Sequence, residues 1–335
     1  MRHTVLPLLL LLSGCWRSTG SEVVVYTALD AEFSTPILQK FTAASDISML
    51  PKFDVESTKT VGLAEAIVAE KDRPRCDVFW NNEILHTLRL KRLGLLEAYQ
   101  PPIAEEYPAA YRDPQGYWHG FAARARILIV NTKLISKRDR PTSILDLADP
   151  KWRGRPAMAK PLFGTTATHA ACLFAAWGDR RAEEFFRKLQ RNEIQIVSGN
   201  KQVAMAVGGG RADFGLTDTD DALEEIAKGM PVTIIYPDQR PDGRGTLFIP
   251  NTLAIIRGCP HPAAARQLVD YLLSPEVEAM LAACPSAQIP LNPNVQAPDR
   301  VKTPGRIRAM KVDFDAAAEK WDAAAKFLQD EFSGG

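Results

Sequence analysis

Short β-branched or apolar runs alternate with stretches of helical periodicity along most of this chain, and that alternation limits the fold more than any other feature. Glu22 to Thr27 is β-branched and ends in the polar turn Ala28-Leu29-Asp30. From Ser34 to Phe41, Pro36 suits a helical first turn, and Ile37, Leu38 and Phe41 recur at helical spacing. The pattern repeats as a helix over Val61 to Glu70, a buried strand over Asp77 to Trp80, and a helix from Ile84 to Leu93 before Gly94. This order predicts an α/β lobe on a mainly parallel sheet. Further along, the pattern predicts a strand over Ile127 to Asn131 and a short capped helix from Ser143 to Leu147. Helices follow over Thr165 to Trp177, from Gly178-Asp179 to Leu189, and over Gln202 to Val207, before a strand at Asp213 to Leu216. Strands over Val232 to Tyr236 and Leu253 to Ile256 bracket a loop rich in Pro, Gly and Arg. Helices are expected over Pro262 to Leu273, Pro275 to Ala283 and, as a docked terminal helix, Phe314 to Phe332.

The chain begins with Arg2, the apolar run Val5 to Leu12 and the box Leu12-Ser13-Gly14-Cys15. That order reads as a lipoprotein export signal over 1–14, with Cys15 lipidated as the new N-terminus and 15–21 a tether. The run falls short of the roughly 18 residues that span a bilayer. The expected location is the periplasm or the outer face of the cell membrane, with the membrane touched through lipid only. Forty-one basic against 40 acidic side chains leave a net charge of +1, so no broad field exists to recruit nucleic acid. Beyond Cys15 there are four cysteines without a CxxC or a zinc spacing. Cys76 and Cys172 read as buried thiols; Cys259 and Cys284 flank one helical segment, and a disulfide between them is compatible with an oxidising compartment.

Several motifs, in shared order and spacing, carry a resemblance over nearly all the mature length. They are Val25-Tyr26-Thr27, Asp77 to Trp80, Gly120-Phe-Ala-Ala-Arg-Ala-Arg126, Leu147 to Gly154, Asn200 before a helix, and Pro290-Leu-Asn-Pro293. The chain resembles family 1 extracellular solute-binding proteins of ABC transporters, in particular the ferric-iron-binding branch. The resemblance implies a two-lobe periplasmic-binding fold (type II) with the ligand in the cleft between lobes, a membrane permease as partner, and a monomer. Lobe crossings near Ile127 and Leu253 divide the chain into 21–125 with 250–300, and 126–249 with 301–335. Iron-binding relatives use a histidine, a glutamate and two adjacent tyrosines. Carried across, these positions are Asp30 for the histidine, Asn82 or Glu83 for the glutamate, and Asp220 with Asp221 for the tyrosines. The tyrosines are absent, and carboxylates make a different, less selective site for a hard trivalent cation.

Read from its own chemistry, Asp218-Thr219-Asp220-Asp221 places three carboxylates directly after a strand, where α/β folds bind ligands. One acid would serve as a helix N-cap before Ala222, and a cationic ligand accounts for the other two. Trp80-Asn81-Asn82-Glu83 offers an aromatic face, amides and a carboxylate for a metal or an organic cation, with core packing the alternative for Trp80. Asp30 is either a ligand contact or a turn former. The tentative metal set is Asp30, Glu83, Asp220 and Asp221. Gly164, Thr165 and Thr166 open a helix and, with Arg124, Arg126 and Asn200, would cradle an anion, with plain capping the alternative for the threonines. In relatives the corresponding positions hold a synergistic anion such as carbonate or phosphate. His169, one turn into that helix, is either a ligand or merely buried.

No cofactor is required by this reading. The expected function is capture of a small solute, foremost Fe(III) with an anion, for delivery to a permease. Alternatives are a phosphonate, a polyamine or another amine; a sensor sharing the same features; and a metal-dependent hydrolase, for which no positioned nucleophile or HExxH unit is visible.

Overall fold

A computed structural model of the protein describes residues 21–54 and 60–332. The export signal and Cys15 lie outside the described residues. In chain order the elements are β1 (Glu22–Thr27), α1 (Ala31–Ser45), β2 (Ser48–Phe53), α2 (Val61–Ala69), β3 (Val78–Asn81), α3 (Leu85–Arg92), β4 (Leu96–Glu97) and β5 (His119–Asn131). There follow β6 (Pro156–Ala159), α4 (Gly164–Trp177), α5 (Asp179–Arg191), β7 (Gln195–Val197), α6 (Asn200–Gly208), β8 (Phe214–Asp218), α7 (Thr219–Ala227) and β9 (Val232–Ile235). The last are β10 (Phe248–Ile256), α8 (Pro262–Leu272), α9 (Pro275–Ala283) and α10 (Phe314–Phe332).

The fold is α/β and two-lobed. Its strands run in the order β2-β1-β3-β10-β5-β8-β6-β7, with β4 on β10 and β9 on β5. Pairs within β2-β1-β3 and β8-β6-β7 are parallel, as the alternation of strands and helices predicts. The expectation of a mainly parallel sheet needs correction, because β10 and β5 run antiparallel to all their neighbours and make the sheet mixed. The join is β5. Its first half, His119 to Ala125, pairs with β10, and its second half, Arg126 to Val130, pairs with β8. All thirteen residues of β5 are buried.

The middle of β5 is irregular. Ala122 has φ +44, in the left-handed region that L-residues adopt at a cost, and the register with β10 shifts between Ile249 and Asn251. The Ala122 N–H, which a regular ladder would pair, donates instead to Glu278 Oε1 at 2.7 Å. Glu278 is wholly buried and also accepts from the N–H groups of Leu291 and Asn292, both at 2.9 Å. One carboxylate thus ties the Pro290 to Pro293 stretch to the strand, although burial pushes its pKa up.

Helix α10 docks as its periodicity predicts. Phe327 packs against Phe174 of α4 at 5.9 Å and Phe332 against Phe186 of α5 at 6.2 Å. It reaches α3 as well, where Trp321 meets His86 edge-on at 5.3 Å and Arg92 Nη2 donates to the Ala318 carbonyl at 2.7 Å. The Ser143 cap is present as a full capping box, but the helix it opens is a 3-10 turn over Ile144–Ala148. Cys259 and Cys284 are both free thiols rather than a disulfide. Cys284 Sγ lies 2.9 Å from Ser286 Oγ, whereas Cys259 sits beside Asp77; burial and that carboxylate push the Cys259 thiol up to about 12.

A candidate ligand-binding cleft

The acidic run begins where β8 hands over to α7. Asp218 occupies the N-cap position, yet its side chain makes no cap hydrogen bond. It turns to Arg126 instead, with Nη1 donating to Oδ1 at 2.6 Å, Thr165 Oγ1 donating to Oδ2 at 2.5 Å and Asn200 Nδ2 at 3.1 Å. The N-cap expected of this run is therefore not made by Asp218, whose carboxylate answers a buried cation. Burial alone would raise its pKa; Arg126 and then Arg124 outweigh that and pull it below the usual range. Asp220 and Asp221 lie in the first turn of α7, where negative charge complements the helix dipole. One carboxylate oxygen from each of the three acids lies within 4.8 Å of the others.

Arg126 is 0% exposed and organises four elements at once. Beyond the Asp218 bond, Nη1 reaches Thr165 Oγ1 at 3.2 Å and Asn200 Oδ1 at 3.1 Å, and Nη2 reaches Thr166 Oγ1 at 3.2 Å. Asn200 Nδ2 donates to Thr165 Oγ1 at 2.8 Å, and Thr166 Oγ1 donates to Asn200 Oδ1 at 2.9 Å. The starts of α4 and α6 are thereby locked to β5 and β8. Gly164 opens α4 with φ +56, a conformation that favours glycine.

Arg124, two residues before Arg126 on β5, stands against the second acid. Its Nη1 is 3.8 Å from Asp220 Oδ2, and its Nη2 donates to the Asn82 carbonyl. Burial works against its charge, but Asp220, Asp218, Asp221 and Asp30 together raise its pKa. The cleft so formed encloses about 330 Å³. Of the residues expected from sequence, Asp30, Asn82, Arg124, Gly164, Thr165, Asn200, Asp218, Asp220 and Asp221 line it.

Four others do not. Trp80 is 0% exposed and packs on Phe121 at 5.6 Å, so it serves the core. Arg126 and Thr166 lie beneath the lining. Glu83 is consumed locally: it accepts from Leu85 N at 2.5 Å, His86 N at 3.0 Å, Asn81 Nδ2 at 2.6 Å and Thr168 Oγ1 at 3.0 Å. It therefore satisfies the first turn of α3 and reaches across to α4, which leaves its oxygens engaged away from the cleft. His169 is also buried outside the cleft, and burial followed by the Arg126 charge lowers its pKa to about 3. Sequence reasoning missed Glu32, Lys201, Gln202 and Glu224, which line the cleft from the first turns of α1 and α6 and from α7. Their signal was proximity to Asp30 just before α1, Asn200 in α6 and Asp221 in α7. Among the described lining residues there is no tyrosine, histidine or cysteine. The cleft therefore pairs an acidic wall with helix-start N–H groups, Arg124 and Lys201, and suits a guest that carries both signs of charge.

Comparison with known proteins agrees with this architecture. The family model described as bacterial extracellular solute-binding protein matches residues 86–320. Iron uptake protein A1 of Synechocystis sp. is 26% identical over 294 residues, covering 81% of this chain and 79% of the relative. The major ferric iron-binding protein of Neisseria meningitidis is 24% identical over 318 residues, 92% of each. The crystal structure of iron-bound HitA from Pseudomonas aeruginosa superposes with a TM-score of 0.83 at 24% identity, covering 93% of this chain and 99% of that one. The periplasmic binding protein AfuA from Actinobacillus pleuropneumoniae, solved with fructose-6-phosphate bound, gives 0.81 at 23%, covering 94% and 99%.

Proposed function

Because the chain belongs to the bacterial extracellular solute-binding protein family, we propose that it is the capture component of an ABC importer, which closes its lobes on a small solute and delivers it to a membrane permease. On this reading a lipid on Cys15 tethers a monomer in the periplasm or on the outer face of the cell membrane. The closing units are 21–125 with 250–300, and 126–249 with 301–335. The cargo has a cationic centre, met by Asp220, Asp221 and Asp30, and an anionic group, met by Gly164, Thr165, Asn200 and Arg124. Fe(III) with carbonate or phosphate fits that description and agrees with relatives that are named for iron. The observation that carries the proposal is one small cleft lined on one side by carboxylates and on the other by two helix starts and a buried arginine. Asp218, neutralised by Arg126, holds the wall in place rather than holding cargo.

A second reading has its own support. With no phenolate in the lining and Arg124 already 3.8 Å from Asp220, a single organic solute bearing an amine and a phosphonate or similar anion also matches the charges. Native mass spectrometry with elemental analysis of protein purified without added ligand separates the two. Iron with a small oxyanion, one per chain and without tyrosinate colour, supports the first; an organic mass supports the second. The double variant Asp220→Asn with Asp221→Asn is expected to fold and to lose cargo affinity. Unchanged affinity would remove the acidic wall from the proposal.

A further inference from the structure

The loop rich in Pro, Gly and Arg between β9 and β10 takes no part in the cleft, yet it walls a second cavity, of about 290 Å³, that shares no lining residue with the cleft. The loop is held in place. Gly245 N–H donates to the Asp238 carbonyl at 3.0 Å, Arg308 Nη2 donates to the same carbonyl at 2.8 Å, and Asp238 N–H donates to the Thr142 carbonyl at 2.8 Å. A Cβ on Gly243 would overlap the Asp238 carbonyl, so the turn closes only with glycine there. This fixes Asp242 and Arg244 on one side of the mouth. Arg181 lines the other side, its guanidinium 5.2 Å from the centroid of the Trp177 ring. All three are exposed, and none makes an ion pair among the described residues. The inner lining adds no net charge: Arg126 is paired with Asp218, burial keeps the His169 ring neutral, and Asp238, whose pKa burial pushes up, accepts from Ser143 Oγ at 2.5 Å. Leu173, Trp177, Leu247 and Met310 supply apolar walls. The volume is about twice that of an apolar cavity known to take up benzene.

From this we infer a second ligand site, separate from the cargo cleft, for a monocarboxylate with a compact apolar body. The body fills the inner, uncharged part of the cavity, and the carboxylate stays at the mouth, where it remains close to water. Two guanidinium groups against Asp242 leave one net positive charge there, which a monoanion cancels. The planar guanidinium fork also matches a carboxylate in shape. A neutral molecule of the same size leaves both arginines unanswered, and an ammonium ion meets them as a like charge. A second carboxylate on the guest would face the apolar walls without a partner.

The test uses the full chain without cleft cargo and three probes of similar size: benzoate, benzyl alcohol and benzylammonium. The Trp177 indole N–H signal, assigned from Trp177→Phe, should shift saturably with benzoate. Benzyl alcohol and benzylammonium should bind at least about fivefold more weakly. Arg181→Gln with Arg244→Gln, both at exposed positions, should cut benzoate affinity at least about fivefold and leave benzyl alcohol unchanged. No saturation with benzoate by about 10 mM overturns the site. Equal binding of benzyl alcohol overturns the charge argument, and benzoate affinity unchanged in the double variant overturns the role of the two arginines. If benzoate binding is lost in Arg124→Gln but kept in the double variant, the anion sits in the cargo cleft and the second site is refuted.

Discussion

Replacing Glu83 by Ala separates two roles for one carboxylate, the ligand expected from the sequence and the acceptor that the start of α3 uses. Four donors lose their acceptor: the N–H groups of Leu85 and His86, Asn81 Nδ2 and Thr168 Oγ1. Two of them keep another partner, because Asn81 Nδ2 also reaches Thr87 Oγ1 at 3.3 Å and Thr168 Oγ1 also donates to the Gly164 carbonyl at 3.2 Å. The two backbone N–H groups are left without one. Each buried orphan costs about 1–3 kcal/mol, so the expected destabilisation is roughly 3–4 kcal/mol. At about 2 °C per kcal/mol for a chain of this size, the Tm should fall by roughly 6–8 °C. Glu83→Gln should cost about half as much, because one amide oxygen still accepts. Urea unfolding followed by tryptophan fluorescence gives the stability, and cargo titration well below the Tm gives the affinity of the folded variant. A variant as stable as the parent that no longer binds cargo would refute the capping argument and return Glu83 to the ligand set.

Two further outcomes follow from the geometry and a third from the sequence. The folded pKa of His169 lies at about 3 against an ordinary value of 6.5, so as pH falls through that window the unfolded chain binds a proton that the folded one refuses, and stability drops by up to about 1.4 kcal/mol per pH unit. His169→Phe should flatten the slope of unfolding free energy between those values, and an unchanged slope would place the proton elsewhere. Denatured, unreduced mature domain should show free thiols at Cys76, Cys172, Cys259 and Cys284; a lower titre would reveal a disulfide. Cys15→Ser should block lipidation and release the domain from membranes, and normal processing with retention would contradict the export reading.

Much of the fold was legible because it is written in periodicity. The α9 helix Pro275–Ala283 and the terminal helix Phe314–Phe332 fall where their apolar spacing places them. The first half of β5 was not legible, because Gly120-Phe-Ala-Ala-Arg-Ala-Arg126 has neither β-branched residues nor alternation, and its burial comes from β10 and α9 rather than from its own pattern. β2, with a proline and a mostly exposed face, and β6, Pro156-Ala-Met-Ala159, failed for the same reason. At the site, loops after strands were readable, since the acids and the helix starts stand where α/β folds expose them. What no spacing could tell is which of two neighbouring polar side chains, an amide and an acid, faces the cleft. Asn82 lines it and Glu83 does not, a difference decided by the start of α3 and by Thr168 on a helix 85 residues away.

The irregular strand shared by the two half-sheets acts as a torsion gauge. Arg124 and Arg126 are two positions apart, so they project to the same side of β5, yet one stands opposite Ile249 of β10 and the other opposite Asp218 of β8. A rotation of one half-sheet against the other would twist the few peptide units of β5 between them, next to the positive-φ residue Ala122. If the halves swing apart, Arg124, on the β10 side, would draw away from Asp220 while Arg126 stays fastened to Asp218. The charge that the cleft shows to solvent would then follow the twist of one strand, and a guest that replaced Arg124 at Asp220 would act on that twist.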